Sequence, residues 1–158
     1  MTEPCRPRPP ELPPWAPGMH EEVRRLVTAA GLRRLLPTRC WVGHPGGEED
    51  ETCIPLAAPD GAAAPHGLRV DLVERALDGL EQPAGSLAWL ARSGPLLAGD
   101  DELAWWSAAR AGFARHGLVP AGFCVLNRVG WLDLAGGAGR TWTRVRRRPA
   151  SGTDTRDR

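Results

Sequence analysis

Apolar and polar positions along the chain follow two periods, and the switches between them mark out the elements. Val23, Leu26, Val27 and Ala30 repeat at three-and-four spacing, which puts them on one helical face and predicts a first helix over residues 20–30, ended by Gly31. Leu32, Leu35 and Leu36 carry the apolar character on until Pro37, where a helix cannot continue. Two short strand-like runs come next, 39–43 and 52–57, separated by HPGGEEDE, whose glycines and charges suit a hairpin loop. A second helix is expected over 68–80, with Val73, Ala76, Leu77 and Leu80 as its buried stripe and Gln82-Pro83 as its stop. The run SLAWLA, residues 86–91, is apolar with almost no alternation, the pattern of a central strand buried on both faces.

Asp100 is a good N-cap for a third helix, and Asp101 and Glu102 are favourable in its first turn. That helix is expected to reach His116, with Gly117 just past its end. Its Trp105, Ala109, Gly112 and Phe113 form the face expected to lie close on a sheet. Residues 122–127, 131–134 and 140–146 then read as three successive strands, linked by RVG and AGGAG. The order is helix, hairpin, helix, strand, helix, meander. A strand–helix–strand step implies a right-handed crossover and a parallel pair. The expected fold is α/β (α+β): one domain over 19–146, a mixed sheet of five to six strands flanked by three helices. Residues 1–18 hold seven prolines, so they are expected to form a disordered, polyproline-leaning tail. Residues 147–158 are polar and are expected to form a disordered basic tail.

Several of these segments together have a family likeness. SLAWLA, the loop ARSGP, Asp100 or Asp101 at a helix start, and GFCVLNRVGWLDL follow one another in an order that resembles the JAB/RadC-like family of metal-dependent isopeptidase relatives, over residues 38 to 135. In that family a hairpin and a helix precede a buried strand, the strand ends in a His-x-His-Pro loop, an Asp starts a long helix, and two strands follow. The two histidine positions fall here near Leu90 or Ala91 and near Arg92 or Ser93, and none of these is a metal ligand. The loop before the helix is shorter, and the hairpin has no counterpart of the catalytic glutamate. A zinc hydrolase needs three protein ligands around an open position, and a base for the water. What the resemblance implies is therefore a metal-free relative that lacks the family's activity and uses no cofactor, with Asp100 as a helix cap.

Composition narrows the partners. All twenty basic residues are arginine, with no lysine or tyrosine and single copies of isoleucine (Ile54) and asparagine (Asn127), the codon signature of a GC-rich bacterial genome. A net charge of +1 gives no whole-protein attraction to nucleic acid or to an anionic membrane. No apolar run approaches the roughly 18 residues of a membrane span, and the first 18 residues have no apolar segment of the signal-peptide kind. A cytoplasmic protein with reduced cysteines and no membrane partner is expected.

Four sets of residues have the chemistry of a site. Cys40, His44 and Cys53 flank the hairpin and could supply three zinc ligands, although the fourth would have to come from elsewhere and buried cysteine is commonly a small apolar residue. Ser86, Ser93 and Ser107 stand in no nucleophile motif, and Cys124, inside a strand, is expected to be inert. Strand alternation puts Arg140, Trp142, Arg144 and Arg146 on one face. That face could stack bases and contact phosphates, or it could be an edge strand kept soluble by charge. Trp105 and Trp106 are adjacent, about 100° apart on a helix, so only one can sit centrally on the buried stripe. The other becomes a candidate anchor for a protein partner or a second copy of the chain. The leading reading is a non-catalytic accessory or regulatory domain that binds another macromolecule, a protein foremost. The alternatives are a nucleic-acid-binding module using the 140–148 face and a divergent hydrolase.

Overall fold

A computed structural model of the chain describes residues 11–47, 51–54 and 64–143. The described residues form three helices and one six-stranded sheet in the order α1 (Ala16–Ala30), β1 (Arg39–Gly43), β2 (Glu51–Ile54), α2 (His66–Asp78), β3 (Leu87–Ala91), α3 (Asp100–Arg115), β4 (Phe123–Asn127), β5 (Gly130–Asp133) and β6 (Gly139–Thr141). Across the sheet the strands run β2-β1-β3-β4-β5-β6. Neighbours are antiparallel except β3 and β4, the parallel pair that α3 connects. The expected mixed α/β architecture is the observed one.

Strand alternation sorts the core into two layers. Cys40 and Val42 of β1, Ala88 and Leu90 of β3, and Phe123 and Val125 of β4 face Val73, Ala76 and Leu77 of α2 and Trp105, Ala109 and Phe113 of α3. Leu87, Trp89 and Ala91 of β3, Cys124 and Leu126 of β4, and Trp131 of β5 pack on the other side with Ala16, Met19 and Val23 of α1. Every residue of β3 and of β4 is buried, as SLAWLA implied for β3. Burial of Trp89 alone, at 1% exposure, removes some 150–250 Å² from water, roughly 4–6 kcal/mol before entropy.

Where the structure departs from the sequence reading, local chemistry accounts for it. The first helix starts at Ala16, inside the proline-rich segment, because Pro17 lies in its first turn, where a helical φ is needed and the missing N–H is not. Trp15 fixes that start: its ring lies 5.4 Å from that of Trp131, and its Nε1 donates to the carbonyl of Ala121. Residues 1–10 and 144–158 lie outside the described residues, and so do most of the expected tails. The second helix runs two residues ahead of its expected bounds at both ends. The last strand is only three residues long and fully exposed. The cap of α3 is Gly99, not Asp100: its N–H donates to the Glu102 carboxylate at 2.8 Å. A Cβ on residue 99 would stand 2.7 Å from that carboxylate oxygen, so the capping acid takes the room a side chain would need. Gly112 lies close to a helix rather than the sheet, since a Cβ there would meet Val73 Cγ1 at 2.7 Å.

Candidate functional site

In an open α/β sheet, ligands usually bind beyond the carboxyl ends of parallel strands. Here that region is filled from within. Arg92, the residue after β3, donates through Nε to Glu102, through Nη1 to the carbonyls of Ser93 and Pro95, both at 3.0 Å, and through Nη2 to that of Leu97 at 2.8 Å. Glu102 thus caps α3 with one oxygen and holds Arg92 with the other; both side chains are largely buried. Ser93 Oγ accepts the Leu36 N–H at 2.6 Å, and Asn127 Nδ2 donates to the Gly94 carbonyl at 2.9 Å. The loop spends its polar groups on itself.

The register separates the candidate metal ligands. Cys40 stands opposite Ile54 while Cys53 stands opposite Trp41, so the two cysteines occupy alternate register positions. The Cys40 side chain is fully buried in the α2/α3 layer, and His44 Nε2 donates to the Gln82 carbonyl at 2.8 Å. Among the described residues no cluster of three or more His, Cys, Asp or Glu side chains could hold a metal. Ser86 Oγ is bound to the Pro83 carbonyl at 2.6 Å. Burial, and the neighbouring Asp133, push the Cys124 thiol well above the ordinary thiol range, which leaves it protonated and unreactive at neutral pH.

At the last strand, Trp142 lies 4.3 Å from the His20 ring and 5.9 Å from the Arg140 guanidinium. Its indole is half-buried against the α1 layer. Arg144 and Arg146 lie outside the described residues.

The tryptophan pair divides as helical geometry requires. Trp105 is buried, with the Arg69 guanidinium 5.1 Å over its ring. Arg69 is itself buried, held by Asp101 at 2.7 Å, and its Nε and Nη1 find no hydrogen-bond partner among the described residues. Trp106 is half-buried: one part of the indole rests on Phe123, centroids 5.5 Å apart, and the rest walls a shallow groove of about 690 Å³ with Ala111, Leu118, Val119 and Pro120. Val119 is 84% exposed. The cation there, Arg110, lies 5.8 Å over the Trp106 ring and joins no ion pair among the described residues. The groove combines apolar contact, one arginine and the Ser107 hydroxyl, and its lining holds no base or metal-ligand set. Val119 and Pro120 gave no periodic signal, being in a loop; only their adjacency to a helix end with a double tryptophan could have pointed to them.

Comparison with protein-family models, with curated proteins and with solved structures finds no match for this chain. No helix among the described residues is long and apolar enough to cross a membrane.

Proposed function

We propose that this chain is a non-catalytic accessory domain that binds another protein, with the Trp106 groove as its docking surface. The observation that carries the reading is the half-exposed Trp106 indole, seated on Phe123 and flanked by Val119. A large ring fixed on one side and open on the other makes a good interface anchor, because little side-chain entropy remains to be lost on binding. Arg110, without a carboxylate partner among the described residues, suits an acidic side chain beside the apolar segment of the partner. The same reading takes the Arg92–Glu102 pair as what stands, in a metal-free relative of the JAB/RadC-like enzymes, where those enzymes have their histidine loop.

The test is affinity capture with the full chain beside Trp106→Ala and Arg110→Glu, both checked by circular dichroism for an unchanged fold, with sedimentation run in parallel for self-association. A discrete protein, or a second copy, held at high salt by the wild type and lost from Trp106→Ala supports the reading. Equal recovery with all three chains, or none with any, overturns it. Nucleic acid that co-elutes only at low salt would instead favour the arginine face at residues 140–148.

A further inference from the structure

The side of the sheet that carries α1 contains a second feature. α1 packs on β4 and β5, and Leu87, Trp89 and Ala91 of β3 are buried in the same layer, while Trp41 of β1 on that face is only half-buried. There Trp41 and Trp89 stand directly opposite each other in register. Their rings are stacked, parallel to within 12° with centroids 6.3 Å apart, so the buried Trp89 backs the half-buried Trp41, the ring of the pair that stays accessible.

A cavity of about 190 Å³ opens beside Trp41. Ala91 and Leu126 line it, Leu26 and Ala30 of α1 form one wall, and Leu36 and Pro37 close one end. An apolar cavity of about 150 Å³ admits a benzene ring, so this one takes a molecule of one or two rings and excludes a dinucleotide.

Charge at the mouth then selects among such molecules. Glu22 and Arg25 neutralise each other at 2.9 Å. Arg33 and Arg39 also line the mouth; both are exposed, and neither joins an ion pair among the described residues. Arg39 lies two residues before Trp41 on β1, so alternation sends it to the same side as that ring. The rim therefore holds two cations without an ion-pair partner among the described residues, at the edge of an apolar slot. Guanidinium groups pair with carboxylates through two parallel hydrogen bonds, and pair better when partly shielded from water.

We infer that this cleft binds a small flat aromatic acid, its ring against Trp41 and its carboxylate between Arg33 and Arg39. The site is separate from the Trp106 groove, which lies across the sheet, and it stands whether or not a protein docks there.

The experiment uses the full chain and indole-3-carboxylate as probe, with saturation-transfer NMR and tryptophan fluorescence as readouts. Uncharged indole and the non-aromatic cyclohexanecarboxylate serve as comparison probes. Saturable binding is expected, weaker for both comparison probes. The double variant Arg33→Gln/Arg39→Gln, both positions being exposed, is expected to lose about tenfold or more in affinity for indole-3-carboxylate and to bind indole as the wild type does. Trp41→Leu weakens both aromatic probes. Melting curves of each variant establish that it is folded. The inference is overturned if the folded wild type shows no saturable binding, or if the double variant binds indole-3-carboxylate as tightly as the wild type does.

Discussion

The two faces of the sheet are covered differently, and the contrast explains where the molecule is solid and where it has space. One face carries two helices, α2 and α3, packed so closely that Gly112 has no room for a methyl group beside Val73. Among the described residues the other carries α1 alone. Six strands at about 4.8 Å spacing make a surface more than 20 Å wide, and a helix with its side chains is about 10 Å across. Two helices nearly span that width and one covers about half. The second face makes up part of the deficit with large rings: Trp41, Trp89, Trp131, and Trp15 and Trp142 from the flanking segments. Rings fill area but leave a slot beside the helix. Stability is thus concentrated in the α2/α3 layer and free surface in the α1 layer.

Mutation of one side chain on each face tests that difference directly. Phe113, fully buried between α3 and the sheet, has no solvent-facing space into which its neighbours could relax, and Phe113→Ala is expected to cost about 3–5 kcal/mol in urea unfolding. Trp41→Leu, half-buried and bordering open space, is expected to cost about 1 kcal/mol in the same measurement. Equal losses at the two positions would mean that the faces are equally well packed.

The smallest effect distinguishes the layers by pH. His116, at the end of α3, hydrogen-bonds Asp78 at 2.8 Å, and that bond raises its pKa above the ordinary histidine value. Its contribution is therefore complete below about pH 6.5, the unfolded value, and is lost as pH rises through the folded value. His20, on α1, is held below the ordinary value, first by burial and then by Arg24 and Arg140, with Glu21 opposing. Its folded environment disfavours the proton, so stability is lost as pH falls through about 6.5. Acidification from pH 8 to 5.5 should strengthen the α2/α3 layer and weaken the α1 layer, each by no more than about 1 kcal/mol. Amide exchange should show α1 losing protection relative to α3, and His20→Gln should remove the loss. Parallel changes in both layers would break the contrast.

Much of this architecture is legible in the residues themselves. SLAWLA could only be a strand covered on both sides, and the stripes Val73-Ala76-Leu77 and Val23-Val27-Ala30 place their helices correctly. The start of α1 was obscured because proline is a breaker within a helix and a good fit in its first turn, and spacing alone does not say which applies to Pro17. Glu102 reads as a first-turn acid, while its role as cap depends on Gly99 leaving space for it. The split between Trp105 and Trp106 followed from helix geometry. The Trp41/Trp89 stack could not be read: the two residues are far apart in the chain, and only the β1–β3 register brings them together.

The bond from Trp15 Nε1 to the carbonyl of Ala121 joins residues 106 apart in the chain, and Trp15 also leans on Trp131 of the final hairpin. α1 therefore finds this part of its packing surface only when nearly all of the domain has been made. At a synthesis rate of roughly 5–20 residues per second the interval is about 5–20 s. For that time the apolar side of α1, with Met19 and Val23, remains unburied in the nascent chain, in the interval when a holding chaperone would find it.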